Sequence, residues 1–283
     1  MEIVPISFDS MGTRSMATFI KTKDVKILID PGVSLAPKRY GLPPHPREVE
    51  KMKEDWEKIV DLAHKSDILI ITHYHYDHHN PWENLEIYED KILLLKHPKD
   101  HINFSQKKRS WFFLKQIQDL PRDLIYADGK EFFFGDTKIK ISEPVPHGPT
   151  TKLGWVIQVL VDDGKTKALF TSDVEGPVLE EQIRFAMENK PNIVILDGPM
   201  TYMLGYRFSR KNYEESLVNI ERLLREASVD KIVIDHHFLR DINWLERLGG
   251  LPREKIITAA EFAGERINLL EAKRKELWEN EPG

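Results

Sequence analysis

Cysteine is absent from this sequence of 283 residues, which excludes disulfide bonds and thiolate metal ligands. Any metal ion would have to be held by histidine, aspartate or glutamate side chains. The sequence also lacks a run of about 18 apolar residues, so we expect no transmembrane helix. Its first ten residues contain no lysine or arginine, so we predict no signal peptide and expect a cytoplasmic protein.

An excess of positive charge is missing as well. The 41 lysines and arginines are outnumbered by 46 aspartates and glutamates, which gives a net charge of −5. This balance offers no general attraction for nucleic acids or anionic membranes. We therefore expect a small-molecule or nucleotide-like substrate rather than a stable nucleic-acid complex. Abundant lysine and glutamate without cysteine is typical of a thermophilic source.

Hydrophobic residues make up 41% of the sequence and charged residues 31%, which predicts one globular domain over residues 1–283. Apolar residues at helical spacing predict a helix over Pro46–Lys65, with the proline in its first turn. The apolar run Ile68–Ile71 predicts a buried strand. Trp155–Val161 is predicted as one strand, and Ala259–Asn280 as a largely helical segment. The pattern alone indicates a domain that contains both helices and strands.

A dense cluster of polar side chains follows the strand Ile68–Ile71, with four histidines and an aspartate in seven residues. Imidazole nitrogens suit zinc, and a carboxylate compensates the charge of a second ion. His73 and His75 are two residues apart, so on an extended backbone both point to one side and can hold one ion. Asp77 and His78 follow the strand and can reach a neighbouring ion. A chance surface cluster is the alternative, but it would not be expected directly behind a buried strand.

The His-x-His-x-Asp-His pattern of residues 73–78 resembles the signature of the metallo-β-lactamase superfamily. The resemblance implies an α+β fold, a four-layer αββα sandwich with two sheets packed face to face between helices. It also implies two divalent metal ions and further ligands at other strand ends. Zinc is the metal that we favour, with Mn²⁺, Co²⁺ or Fe²⁺ as alternatives. Redox members carry glutamate at the position of His75, which argues against an iron redox centre.

Further residues match the family pattern in chain order. Asp30 matches the aspartate that orients ligands without binding the metal. His147 matches the lone histidine that completes the first ligand set, and Asp173 matches the carboxylate that bridges both ions. Each has an ordinary alternative, such as a turn residue or a surface histidine. The joint order of these residues, rather than any one of them, supports the match.

The last ligand is ambiguous, because His236 and His237 both follow the predicted strand Lys231–Asp235. Neighbouring side chains on a strand point in opposite directions, so only one of the two is expected to bind metal. We favour His237, because the residues after it resemble the ending of phosphodiesterase members. The resemblance thus predicts the metal ligands His73, His75, Asp77, His78, His147, Asp173 and His237.

The resemblance implies hydrolysis by a metal-bound hydroxide, without a serine or cysteine nucleophile. Asp77 and Asp173 would hold the metals and orient the hydroxide. A histidine outside the ligand set, His79 or His236, would pass a proton to the leaving group.

The substrate class follows less directly from the residues. The His-Phe-x-Arg ending favours phosphoesters or phosphodiesters, and a lactone, ester or thioester is the alternative. A non-catalytic binding module stapled by metal is an alternative of another class. Asn80, Pro81 and Trp82 stand where many members carry glycines, so we expect a different pocket wall. Residues 96–118 mix basic and aromatic side chains, which would either stack a nucleotide or form a helix with a solvated charged face; we favour the helix.

Overall fold

The computed structural model describes residues 1–281. Its strands are β1 (Glu2–Phe8), β2 (Met16–Lys21), β3 (Lys26–Ile29), β4 (Ile68–Ile71), β5 (Ile92–Leu95), β6 (Asp123–Tyr126), β7 (Glu131–Phe134), β8 (Thr137–Ile141), β9 (Val145–Pro146), β10 (Trp155–Val156), β11 (Val159–Asp162), β12 (Lys167–Phe170), β13 (Ile193–Asp197), β14 (Lys231–Asp235) and β15 (Ile256–Ile257). Its helices are α1 (Pro46–Lys65), α2 (Phe104–Ile117), α3 (Glu180–Asn189), α4 (Arg210–Arg225), α5 (Trp244–Arg247), α6 (Ala259–Phe262) and α7 (Arg274–Asn280).

The strands form two large sheets. The first has the order β1-β2-β3-β4-β5-β6, with antiparallel pairing from β1 to β3 and parallel pairing from β3 to β6. The second has the order β15-β14-β13-β12-β11-β8-β7, with parallel pairing from β15 to β12 and antiparallel pairing beyond. Helices lie in most of the connections between parallel strands; the connection from β4 to β5 contains only a 3-10 helix, Leu85–Tyr88. β9 and β10 form a separate small hairpin.

Three apolar clusters separate four layers. The cluster between the sheets takes side chains from both of them, including Ile27, Ile70, Leu94, Val161, Phe170 and Val233. A second cluster packs the outer face of the first sheet against α1 and α2, and includes Leu69, Ile71, Trp56, Ile59 and Phe113. A third packs the second sheet against α3 and α4, and includes Leu169, Leu196, Ile183 and Leu223. Burying each such side chain contributes roughly 1.5–3 kcal/mol. The predicted αββα sandwich is confirmed.

Local sequence features explain the start of α1, the burial of β4 and the packing of the histidine loop that follows β4. His45 caps α1: its backbone N–H donates to the Glu48 side chain at 2.8 Å, and its ring accepts from the Arg47 N–H. All four residues of β4 are buried, as expected for a central parallel strand covered on both faces. Gly32 lies against the histidine loop, since a Cβ built on it would come within 2.2 Å of the His79 backbone nitrogen. Any larger residue there would displace the loop.

Two predicted elements differ from the structure. Trp155–Val161 is two strands, because Ile157 leaves the small hairpin, donates its N–H to the Thr72 carbonyl at 3.1 Å, and lets the chain enter the second sheet. The segment Ala259–Asn280 is helical only at its ends. Between them the chain has a left-handed turn at Gly264. None of the helices within residues 1–281 combines the length and the hydrophobicity that crossing a bilayer requires.

Candidate metal centre

The candidate site lies where parallel strands of both sheets end. Asp30 follows β3, the histidine cluster follows β4, Asp173 comes shortly after β12, and His236 follows β14. The carboxyl ends of parallel strands meet at one edge of a sheet, which is where such folds place their ligands. Residues that are far apart in the sequence are therefore brought together.

A first group consists of His73, His75, His147 and Asp173, whose ligand atoms all lie within 4.8 Å of one another. His147 Nε2 is 3.1 Å from His75 Nδ1 and 3.3 Å from Asp173 Oδ2. His73 Nε2 is 3.6 Å from the same carboxylate oxygen. These are the residues that the sequence analysis assigns to one ion.

A second group consists of Asp77, His78, Asp173 and His236, whose ligand atoms also lie within 4.8 Å of one another. His78 Nε2 lies 3.0 Å and His236 Nε2 lies 3.3 Å from Asp173 Oδ1. His236 Nε2 is also 3.7 Å from Asp77 Oδ2. Asp173 thus offers one oxygen to each group, which is the arrangement of a carboxylate shared by two cations.

The donor atoms fit a metal ion better than they fit one another. His73 Nε2, His78 Nε2 and Asp173 Oδ1 are buried and have no hydrogen-bond partner within residues 1–281. His78 Nε2 and Asp173 Oδ1 are 3.0 Å apart but are not aligned for a hydrogen bond. Leaving a buried polar atom unpaired costs about 1–3 kcal/mol. Nitrogen and carboxylate donors that converge in this way suit a divalent ion such as zinc.

The electrostatics of the two groups differ. Burial lowers the pKa of His73 and of His75 well below the usual value, so both imidazoles stay in the neutral form that binds metal. For His78, burial opposes a positive charge, but the carboxylates of Asp173 and Asp30 raise its pKa well above the usual value. The carboxylates therefore favour a positive charge at this position.

Asp30 is connected to both ligand groups through hydrogen bonds. Its Oδ2 accepts from His78 Nδ1 at 2.7 Å and from Thr72 Oγ1 at 2.6 Å, and its Oδ1 accepts from the Thr72 N–H at 2.8 Å. Thr72 Oγ1 is 2.6 Å from Ser172 Oγ, which is 3.2 Å from His73 Nδ1. Nδ1 of His78 and Nδ1 of His73 both take part in this hydrogen-bond network, so Nε2 of each ring is left to bind a metal. This is the orienting position expected for Asp30.

The sequence analysis favours His237 as the last ligand, whereas the four-residue ligand group contains His236. β14 ends at Asp235, and the chain then turns at His236, whose φ of 57° lies in the left-handed region that non-glycine residues rarely adopt. The turn brings His236 Nε2 to 3.3 Å from Asp173 Oδ1. His237 Nδ1 lies 3.0 Å from Asp197 Oδ2, and His237 forms a smaller ligand group with Asp173 and Asp197. Strand alternation does not decide between the two histidines, because residues 236–240 form a 3-10 helix rather than a continuation of the strand.

His79 does not face the metal groups. Its Nδ1 donates to the His75 carbonyl at 2.9 Å, and its ring packs against Phe113, with the ring centroids 4.9 Å apart. Burial lowers its pKa to about 3, so the ring stays neutral. The proton-donor role of His79 or His236 stays a prediction; the structure places the His79 ring against Phe113 and His236 in a ligand group.

Sequence reasoning missed three acidic residues of the site. Asp9 Oδ2 is 2.8 Å from His236 Nδ1, and Asp9 Oδ1 accepts from Arg240 Nε at 2.8 Å. Burial, with Asp173 nearby, raises the pKa of Asp197 to about 7. Burial likewise raises the pKa of Glu175 to about 7. Asp197 ends an apolar strand just as Asp235 does, and that signal was available in the sequence. No local pattern marks Asp9 or Glu175.

The site opens to solvent through a cleft of about 290 Å³. Its polar wall includes His75, Asp77, His147, Asp173, Glu175 and His237. Arg14, Arg109 and Arg240 line the same cleft. Ligand candidates of both groups and three guanidinium groups thus line one cleft.

No protein-family model matches the chain. It is 55% identical to a UPF0282 protein of Korarchaeum cryptofilum over 100% of this chain and 96% of that protein. It is 49% identical to a UPF0282 protein of Metallosphaera sedula over 98% of this chain and 93% of that protein.

Solved structures resemble the fold at low sequence identity. A metal-dependent hydrolase of the β-lactamase superfamily has a TM-score of 0.53 and 13% identity, over 90% of this chain and 94% of that one. The metallo-β-lactamase fold protein YhfI from Bacillus subtilis has a TM-score of 0.50 and 15% identity, over 94% of each chain. An isothiocyanate hydrolase from Delia radicum gut bacteria has a TM-score of 0.53 and 16% identity, over 91% of this chain and 96% of that one. The predicted fold family is confirmed by these similarities.

Proposed function

The chain belongs to the UPF0282 family, and from its metallo-β-lactamase fold and its paired ligand groups we propose that it is a metal-dependent hydrolase with a dinuclear centre. One observation carries the proposal: two groups of four ligand residues share the carboxylate of Asp173. A metal that only stapled a binding module would need one such group. A shared carboxylate between two groups is typical of sites that act on an ester or phosphoryl oxygen.

We assign the ligands to two ions, with His236 in place of His237. One ion would be held by His73, His75, His147 and Asp173, and the other by Asp77, His78, Asp173 and His236. Zinc suits these donors best, and Mn²⁺, Co²⁺ or Fe²⁺ are compatible with them. When bound, the ions would polarise the substrate and lower the pKa of a water molecule to about 7.

His237 and Asp197 take the role of proton transfer to the leaving group. The His237 ring lines the cleft, and its Nδ1 lies 3.0 Å from Asp197 Oδ2. The His237 N–H also donates to Asp197 at 3.1 Å, which fixes the orientation of the imidazole. Burial lowers the pKa of His237 well below its usual value and raises that of Asp197 to about 7, which favours a neutral ring beside a protonated carboxyl group near neutral pH. The ring can then give its Nε2 proton to an atom in the cleft while Nδ1 takes the proton of Asp197.

The three arginines of the cleft support an anionic substrate, and we favour a phosphoester or phosphodiester over a lactone, ester or thioester. A guanidinium binds the oxygens of a phosphoryl group through parallel hydrogen bonds, which a neutral ester does not need.

The test compares adjacent histidines in matched variants. Metal content per chain and turnover of bis(p-nitrophenyl) phosphate are measured for the natural protein, His236→Ala and His237→Ala, before and after chelation. We expect two metals and chelator-sensitive turnover in the natural protein. His236→Ala should retain one metal. His237→Ala should retain two metals and lose about 10²–10⁴-fold in turnover.

The same assay includes p-nitrophenyl acetate, a lactone and a thioester. Turnover of these without turnover of the phosphodiester would move the substrate class to neutral esters. Two metals with no turnover of any substrate would favour the binding module. Two metals in His236→Ala together with one in His237→Ala would contradict the ligand assignment.

A further inference from the structure

Arg109 is the arginine of the cleft that has no acidic partner. Arg14 donates to both carboxylate oxygens of Glu271 at 2.5 and 2.7 Å, and Arg240 donates to a buried carboxylate at 2.8 Å. Within residues 1–281, Arg109 forms no ion pair, and its guanidinium carbon lies 4.6 Å from the centroid of the Tyr76 ring. The charge of Arg109 is therefore free to bind an anionic group that enters the cleft.

A second cavity adjoins the cleft on the surface of α2. It has a volume of about 670 Å³, and we call it the aromatic groove; its walls include Tyr76, Phe104, Lys108, Trp111 and Phe112. Phe104 is 78% exposed and Trp111 is 65% exposed, although apolar side chains of this size are normally covered. Lys108 lies over the Phe104 ring at 5.8 Å from its centroid. The groove thus offers aromatic faces with positive charge beside them.

Tyr76 and Arg109 line both the cleft and the aromatic groove, so the two cavities adjoin each other at this pair of side chains. Trp82 extends this wall, because its ring centroid lies 4.4 Å from that of Tyr76. Trp82 stands in the segment where many members of the superfamily carry glycines. The difference in pocket wall that the sequence predicts therefore consists of an added aromatic side chain next to the groove.

Building on the proposed hydrolase, we propose that its substrate is an anionic ester that carries a flat aromatic group. Arg109 binds the anionic group next to the metal ligands, and the aromatic groove stacks the flat group. The cleft alone, at about 290 Å³, is at the lower end of ligand-sized cavities, so a larger substrate must extend into the groove. Stacking on aromatic side chains and contact with cations are the interactions that the groove provides.

Binding can be measured without turnover by using two phosphonates that are not hydrolysed. Phenylphosphonate carries the anion and the aromatic ring, whereas methylphosphonate carries the anion alone. Calorimetric titration of the metal-loaded protein gives the affinity for each, and their ratio isolates the contribution of the ring. Any contact between the phosphonate and the metals is common to both probes and cancels in the ratio.

Three single variants separate the contributions. Trp111→Ala should lower the phenylphosphonate preference about tenfold and leave methylphosphonate binding unchanged. Arg109→Gln should weaken both probes about tenfold or more, because a charged hydrogen bond is lost. Phe133→Ala is the control: Phe133 is 69% exposed on β7 with Lys138 over its ring, and removing it should change neither affinity.

An unchanged preference in Trp111→Ala, or unchanged affinities in Arg109→Gln, would overturn the proposal. If the groove instead binds a lipid surface or a second copy of the chain, Trp111→Ala should keep the preference for phenylphosphonate. The same variant should then lose binding to lipid vesicles or lose a dimer. The outcome is separate from that of the proposed function. A protein that discriminates between the phosphonates but hydrolyses no ester would retain the subsite and lose the hydrolase assignment.

Discussion

Replacing Asp30 by asparagine tests whether the buried carboxylate sets the ligand geometry. Asp30 Oδ2 accepts hydrogen bonds from both His78 and Thr72, and Oδ1 accepts one from the Thr72 N–H. An amide of the same shape has only one acceptor oxygen. If the NH₂ group takes the place of Oδ1, it faces the Thr72 N–H, which is a donor. If it takes the place of Oδ2, it faces His78 Nδ1, which must then become an acceptor. A neutral His78 imidazole with Nδ1 as acceptor carries its proton on Nε2. That tautomer places the proton on the atom that we assign to the metal.

The size of the effect follows from this contact. Loss of a carboxylate that orients a ligand histidine costs about 10- to 100-fold in metal affinity, which corresponds to about 1.4–2.8 kcal/mol. The group that contains His78 should bear this loss, because its hydrogen bond to Asp30 is direct. The group that contains His73 reaches Asp30 only through the hydroxyls of Ser172 and Thr72, so it should lose less.

The measurement is a zinc titration in competition with a chromogenic chelator, fitted with two affinities per chain. Asp67→Asn is the control, because the Asp67 side chain accepts a hydrogen bond from the Lys26 N–H at the opposite end of the same sheet. Circular dichroism verifies that both variants are folded. Two zinc ions bound to folded Asp30→Asn with the affinities of the natural protein would refute the reasoning, and so would an equal loss at both groups.

Two further predictions concern stability. Burial raises the pKa of Glu271, but paired hydrogen bonds from Arg14 outweigh it and lower this pKa from 4.5 to about 2. The ion pair therefore stabilises the fold above pH 4.5. Up to about 3 kcal/mol of this stabilisation is lost as the pH falls towards 2. Urea unfolding between pH 7 and pH 3 should show a flatter profile for Glu271→Gln, and parallel profiles would contradict this. Arg274 and Glu48 are fully buried and share two hydrogen bonds of 2.8 Å, so Arg274→Met should lower the unfolding free energy by about 3–5 kcal/mol. Adding Glu48→Gln should restore part of the loss, and equal stability of the single and double variants would show that the unpaired charge is not the cause.

The sequence determined several elements with their ends, because the signals of those elements are local, and the αββα sandwich followed from the resemblance of the histidine motif. Apolar residues at helical spacing and a proline in the first turn predict α1 with both observed ends. The buried runs of β4 and β14 are predicted with their observed ends for the same reason. The candidate ligands from His73 to His78 were accessible because they lie within one short segment. Zinc, the cytoplasm, a thermophilic source and the single domain stay predictions from composition and resemblance.

The tertiary structure alone decided how the site is completed. Which of His236 and His237 joins the four-residue ligand group depends on the backbone of His236, with its φ of 57°, and on where the chain leaves the sheet. Asp9 reaches Arg240 across 231 residues of sequence, so no local pattern reveals it. The aromatic groove likewise forms only because α2 packs beside Tyr76 in the folded chain. Local spacing determines which residues form strands and helices, whereas the direction of a side chain beyond a strand end depends on packing with distant parts of the chain.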